Sequence, residues 1–209
     1  MTRPVPDIAI SIGGLIDFVG ARPTQRINVV RTIAGMYLAD YAPEKDYYKQ
    51  VREGISEGLL LGNEEERLGL VLAEANEKKR ENYQAIADGW LSWRRGKNLE
   101  LVLNPKRWAE QQLTVKMSPM FAWRQRRGQD LVLLYLKEPE LAADAAQAAT
   151  RVLELTFGND FARAAVLDVR RGALHRARRR RPRDYDAFLT SEVSALLSML
   201  SSIQGSGVI

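Results

Sequence analysis

The sequence predicts an α+β fold: an N-terminal helical segment followed by a β-β-β-α-β-β-α core with a mixed sheet and a C-terminal amphipathic helix. Before Gly96, apolar residues recur at three- and four-residue steps; after it, short runs of strand-forming residues alternate with turns. An alanine-rich segment separates two groups of these runs. The 209 residues are 45% hydrophobic and 27% charged, which provides a sizeable core.

Three helices are predicted before Gly96. The first, TQRINVVRTIAGMYLADY, takes Thr24 as its N-cap and ends before Pro43, and the second, EKDYYKQVREGISEGLLLG, ends at Gly62. The third begins at Asn63, which a glutamate follows three positions later as in a capping box, and runs long, to Gly96. The charged middle of this third helix predicts a solvated surface.

The strands are predicted after Gly96. LELVL, at 99–103, reads as a short strand, and Pro105 begins a brief helix around Trp108. LTVKMSPMFAWR and DLVLLYLK form a hairpin across RQRRGQ. Because DLVLLYLK is apolar on both faces, we expect it to be a central strand that is covered on two sides.

The last third of the chain predicts a helix, a strand pair and a helix. ELAADAAQAATRVLELTFG is helical, and its small residues allow close packing on a sheet. RAAVLDV and ALHRAR are strands joined by an RRG turn, and DYDAFLTSEVSALLSMLSSI is the final amphipathic helix. The apolar stripe that is predicted to face inward from the alanine-rich helix is Leu141, Ala145, Ala148, Val152 and Leu155.

We expect a mainly helical half at 1–96, an α/β half at 97–204 that carries the basic surface, and a flexible tail at 205–209. One compact domain is the alternative. The pattern of residues 1–22 leaves open whether they pair with the sheet or pack as a helix.

Arginines are concentrated in one segment of the chain. Between Arg163 and Arg183 there are nine arginines and a single acid, Asp168, so this segment carries +8 and the remainder −3 of a formal net charge of +5. Clustered positive charge indicates a polyanionic partner more strongly than a diffuse high pI does. Arginine suits phosphate because its planar guanidinium binds two oxygens at once.

We therefore predict a nucleic-acid-binding protein, for DNA or RNA, that is non-catalytic or catalytically degenerate. Recognition is expected to be independent of sequence, since no base-reading motif occurs. Two turns share the string RRG, and their tips would add to the basic surface if both hairpins opened on one side of the sheet. The predicted contacts are Arg126, Arg127, Arg170, Arg171, Arg176, Arg178, Arg179, Arg180 and Arg181.

The composition excludes several kinds of active site. Without cysteine there are no disulfides, thiolate nucleophiles or zinc–thiolate sites, and His175 is the only histidine. The sequence has no GxSxG nucleophile elbow and no glycine-rich phosphate loop. We expect no cofactor, no metal and no catalytic residue. The N-terminus lacks the pattern of a signal peptide and no stretch is long and apolar enough to span a bilayer, so we expect a soluble, cytoplasmic protein without a membrane partner.

The strand order, with a helix before LELVL, resembles the core of the restriction-endonuclease-like nucleases with the PD-(D/E)xK signature. In that family the (D/E)xK residues fall on the third core strand, which would be DLVLLYLK. Lys137 matches the lysine, whereas Tyr135 replaces the acid, and the preceding strand offers no aspartate. The resemblance implies a nuclease fold with a degenerate active site.

Two alternatives stay open. The arginines could dock an acidic partner protein, with the chain acting as an interaction or scaffold subunit. An active metal-dependent nuclease would need Asp130, Glu138 or Asp168 to converge with Lys137. The four tryptophans stand beside basic residues, which is typical of base stacking, but the helical spacing of Trp90 and Trp93 favours packing in the core.

Overall fold

The computed structural model describes residues 8–37, 46–103, 106–117, 120–126, 128–178, 180 and 182–205. The α-helices are α1 Ile12–Gly20, α2 Arg26–Tyr37, α3 Lys49–Leu61, α4 Glu64–Glu74, α5 Glu77–Arg94, α6 Ala143–Phe157 and α7 Tyr185–Gly205. The strands are β1 Ile8–Ser11, β2 Asn98–Leu101, β3 Arg107–Glu110, β4 Leu113–Lys116, β5 Met120–Gln125, β6 Gly128–Tyr135, β7 Arg163–Asp168 and β8 Ala173–Arg176. The α+β class, the mixed sheet and the C-terminal helix are confirmed.

The larger sheet has five strands in the order β2-β5-β6-β7-β8. Only β6 and β7 are parallel, and α6 makes the crossover between them. The other neighbours are antiparallel. The central position predicted for DLVLLYLK is confirmed, because β6 is the middle strand and its residues from Asp130 to Tyr135 are buried.

The smaller sheet, in the order β1-β4-β3, was not predicted. Its parallel strand β1 comes from the segment whose structure the sequence left open. That segment turns directly from strand to helix at Ser11, whose hydroxyl accepts a hydrogen bond from the Gly14 N–H at 3.2 Å. The described part of this segment therefore does both: it pairs with a sheet as β1 and packs as helix α1.

Two predictions between Gly96 and β6 are wrong. The helix expected around Trp108 is strand β3, where exposed Arg107 alternates with buried Trp108, and Trp108 pairs with Val115 of β4. The single strand expected over LTVKMSPMFAWR is two strands, β4 and β5, which belong to different sheets. Pro105 and residues 118–119, two of the three residues between β4 and β5, lie outside the described residues.

The prediction of one long third helix is also wrong, because this segment is divided into α4 and α5. Ala75 leaves the helix with extended backbone angles, and the Asn76 side chain caps α5 by accepting from the Lys79 N–H at 3.1 Å. The capping box expected at Asn63 does not form. Instead, the Asn63 side-chain amide donates to the Glu66 carboxylate at 3.0 Å.

Each face of the five-stranded sheet is covered by its own hydrophobic cluster. One face packs against α5, with Trp90 and Phe121 at 5.2 Å between ring centroids. The other packs against α6, α1 and α7. Leu155, predicted in the inner stripe of α6, is 45% exposed, whereas its other predicted members are buried. None of the helices in the described part of the chain has the length and apolar character needed to cross a membrane.

Candidate nucleic-acid interface

The parallel pair β6–β7 gives the sheet two distinct ends, which place the two RRG strings far apart. At the amino end lies the β5–β6 turn with Arg126, because Gln125 pairs with Gly128. At the carboxyl end, where Tyr135 pairs with Asp168, lies the β7–β8 turn with its second RRG string. The two tips therefore do not form one continuous surface.

At the carboxyl end the arginines are bound within the molecule. The Arg171 guanidinium lies 3.2 Å from both carboxylate oxygens of Asp168 and donates to the Glu138 carbonyl at 2.6 Å. Arg170 donates to the side-chain carbonyl of Asn82 on α5. These contacts use the guanidinium groups to fix the β7–β8 turn.

Close packing of α5 fixes the same turn. At Gly89 a Cβ atom would overlap the Val169 carbonyl oxygen and come within 3.1 Å of the Arg170 Cα. Only glycine allows the helix backbone to approach the turn this closely.

The residues that were compared with the PD-(D/E)xK signature, Tyr135 and Lys137, also lie at the carboxyl end. Lys137 forms an ion pair with Asp17 of α1, a partner that the sequence analysis did not identify. Burial, followed by the charges of Asp17 and Asp168, raises the pKa of Tyr135 to about 12. The phenol is therefore neutral at physiological pH.

The acids of the nuclease alternative are distributed over both ends. Asp130 is at the start of β6, at the opposite end from Lys137. Asp168 is fully buried and, besides Arg171, accepts from the Leu141 N–H at 3.2 Å. Within the described ranges, no three histidine or acidic side chains are grouped so that they could hold a metal ion.

At the amino end the arginines are more available. Arg126 and Arg178 are exposed, and so is Arg180 in the segment that leaves β8. The chain at Arg178 is anchored through its backbone, since its N–H donates to the Gln147 side-chain oxygen at 3.2 Å. No ion pair joins these three side chains to a carboxylate in the described part of the molecule.

A row of four side chains crosses the sheet beside them. Trp123 pairs with Asp130, Asp130 with Arg163, and Arg176 with Ala165, two residues beyond Arg163 on β7. Paired residues, and residues two apart on a strand, share a face of the sheet. We call Trp123, Asp130, Arg163 and Arg176 the amino-end row, and this row together with Arg126 and Arg178 the amino-end basic surface.

The amino-end row is built around one buried acid. The Asp130 carboxylate, 3% exposed, lies 3.5 Å from the Arg163 Nε and 3.7 Å from the Arg176 Nε. It also accepts from the Gln125 amide at 2.6 Å. The charge pattern of the sequence did not single out Arg163 or indicate that Asp130 meets two arginines; the available signal was an acid at the start of a strand that is otherwise apolar.

The tryptophans contribute mainly to the core. Trp90, Trp93 and Trp108 are buried. Trp123 is half-buried, and its ring is already approached by cations of the same chain, Lys97 at 5.5 Å and Arg176 at 5.6 Å from the centroid. The packing interpretation therefore holds for the three buried rings.

Three of the predicted contacts, Arg127, Arg179 and Arg181, lie outside the described residues. His175 is half-buried on β8, where it pairs with Val166. Comparisons of the sequence with protein-family models and with curated proteins found no match.

Proposed function

We propose that this protein binds nucleic acid, DNA or RNA, by contacting backbone phosphates with its amino-end basic surface, and that it does so without catalysis. The observation that carries this proposal is the excess of guanidinium groups at this end. Arg126 and Arg178 are exposed without a described carboxylate partner, and two further arginines share the single carboxylate of Asp130.

The physical basis is the release of counterions. Each arginine that neutralises a phosphate displaces condensed cations from the nucleic acid, so affinity falls as salt rises. Phosphate contacts position a protein on the backbone but carry no base information, which agrees with the expected sequence-independent recognition. We leave Arg170 and Arg171 out of this contact set, because Asn82, Asp168 and the Glu138 carbonyl bind their guanidinium groups within the molecule.

The degenerate-nuclease resemblance is a second part of the proposal. In its support, β6 is the third strand of the five-stranded sheet along the chain and in space, α5 precedes the sheet and α6 follows its third strand. Lys137 follows the end of β6 and Tyr135 replaces the acid. Incubation with plasmid and Mg²⁺ or Mn²⁺ is expected to leave the plasmid intact. Cleavage that Lys137→Ala abolishes would contradict this part.

The test of binding is fluorescence anisotropy with a labelled duplex and the matching single strand over a salt series. Each phosphate contact to duplex should contribute about −0.9 to the slope of log K against log[salt]. Weak binding with no salt dependence would overturn the proposal. A labelled polyglutamate of similar charge is the comparison; tighter binding to it would favour the docking of an acidic protein.

A further inference from the structure

The amino-end row has the geometry of a preorganised anion site. Arg163 on β7 and Arg176 on the adjacent β8 both approach Asp130 through Nε, which is the guanidinium nitrogen closest to the carboxylate in each case. The terminal nitrogens of the two groups make no hydrogen bond to the described part of the chain, and the side chains are 43% and 40% exposed.

We propose that Arg163 and Arg176 together bind one phosphate group of the nucleic-acid backbone, and that Asp130 acts as the positioning residue that holds them. This inference rests on the proposed function and names the phosphate-binding residues within the amino-end basic surface. It assigns a role to Arg163 and Asp130, which the charge pattern alone does not indicate.

Three features of the site restrict the orientation of this pair. Gln125 donates to an oxygen of Asp130 at 2.6 Å, which holds the carboxylate in place. The carboxylate is buried, so solvent screens its attraction for the two arginines only weakly. Arg176 also lies over the Trp123 ring, 5.6 Å from the centroid, which restricts its rotation.

The charge of the site suits a phosphate diester. Two guanidinium groups and one carboxylate leave a net charge of +1, matched by the single negative charge of a diester. The planar donor edge of arginine bonds two phosphate oxygens in parallel, which a lysine cannot do. Because Asp130 has already ordered both side chains, less conformational entropy is lost when the phosphate binds.

The test uses the opposite predictions that two models make for Asp130→Asn. If positive charge alone drives binding, removing an acid tightens the complex. If Asp130 positions the arginines, the variant binds about threefold more weakly despite its extra positive charge. Glu100→Gln is the matched control, because it also removes an acid, the exposed partner of Arg124 at 2.6 Å, and should bind as tightly as the wild type or tighter.

Lysine variants provide a second test that keeps the charge. Arg163→Lys and Arg176→Lys are each expected to weaken binding about tenfold, since one bidentate arginine–phosphate contact is worth about 1.4 kcal/mol. Thermal melts verify that each variant is folded. Wild-type affinity in both lysine variants, or tighter binding by folded Asp130→Asn, would overturn the phosphate site while leaving the proposed function in place.

A titration with pyrophosphate distinguishes failure of the phosphate site from failure of the proposed function. In ¹⁵N-labelled protein, the Nε–H signals of Arg163 and Arg176, assigned from the lysine variants, should shift and saturate, whereas that of Arg171 should not. Saturating shifts without nucleic-acid binding would retain the anion site and overturn the proposed function. Unchanged signals would overturn the site.

Discussion

The two ends of the β6–β7 pair use arginine in different ways. At the carboxyl end, Arg171 meets Asp168 and Lys137 meets Asp17, so most of the positive charge is matched within the molecule. At the amino end, Arg163 and Arg176 share one carboxylate, and exposed arginines flank them. Arginine fixes a turn at the carboxyl end, whereas at the amino end its guanidinium groups are exposed and can bind an anion.

The number of arginines in a segment is therefore a poor measure of the charge that the segment presents at the surface. The positive charge that a segment presents depends on which carboxylates the fold brings to each guanidinium group. The acid beside Lys137 comes from α1, more than a hundred positions away in the sequence. The carboxyl end should therefore respond to mutation mainly in stability, and the amino end mainly in binding.

The largest expected effect is at Gly89. Replacing it with alanine places a Cβ atom against the Val169 carbonyl oxygen and forces α5 away from the β7–β8 turn, at a cost of about 3 kcal/mol. Urea denaturation measures this loss in the free energy of unfolding. Gly69→Ala is the control, because no atom outside its own helical turn lies within 4 Å of the added methyl group on α4, and it should gain about 1 kcal/mol from helix propensity. Similar stabilities for the two variants would contradict the tight carboxyl-end packing.

A smaller loss is expected for Asp168→Asn. This fully buried carboxylate binds Arg171 and the Leu141 N–H, so its neutralisation should cost about 2 kcal/mol in chemical denaturation. Asp160→Asn is the comparison near the amino end. Its pair with Lys106 is half-exposed, so less than about 0.5 kcal/mol should be lost. Equal losses would break the distinction between internal and exposed pairs.

The pH dependence of stability should reflect the buried tyrosines. Burial is the main reason that the pKa of Tyr135 and that of Tyr83 rise from 10.0 to about 12. Between these values the unfolded chain loses the protons that the folded chain keeps, so stability is complete below about pH 10 and falls as pH rises towards 12. By pH 11 the raised pKa of each tyrosine should have lowered the free energy of unfolding by about 1 kcal/mol.

Denaturation of Tyr135→Phe over pH 8–12 checks this. The variant should lose part of the alkaline dependence, because Tyr83 keeps its own contribution and burial also raises the pKa of Tyr48. An unchanged pH profile would show that Tyr135 is not buried against the acids at the carboxyl end.

Local sequence patterns predicted most elements but not all of their boundaries. The continuous apolar run in DLVLLYLK predicted the sheet centre, because burial on two faces leaves such a run, and the small residues of α6 predicted a helix that packs closely on the sheet. The smaller sheet could not be anticipated, since β1 and β4 are parallel strands that lie far apart in the chain. The division between α4 and α5 depends on a single asparagine side chain that competes with helix continuation.

The site was predicted only in outline. The arginine cluster was evident from composition, but the hairpin register puts its RRG turn at the carboxyl end and Arg176 at the amino end. Asp130 stands next to an apolar run, and nothing local indicates that two arginines from β7 and β8 meet it. Such partners follow from strand order, which the sequence pattern alone did not determine.

The central claim is that the amino end, and not the carboxyl end, contacts the phosphates of nucleic acid. Two charge-matched double variants test it most directly in the anisotropy assay. Arg126→Gln/Arg178→Gln removes two charges from the amino end, and Arg170→Gln/Arg171→Gln removes two from the carboxyl end. We predict that the amino-end variant reduces the salt slope for duplex by about 1.8, at about 0.9 per phosphate, while the carboxyl-end variant keeps the wild-type slope at temperatures where it is folded. Equal reductions in both variants, or a reduction only in the carboxyl-end variant, would contradict the claim.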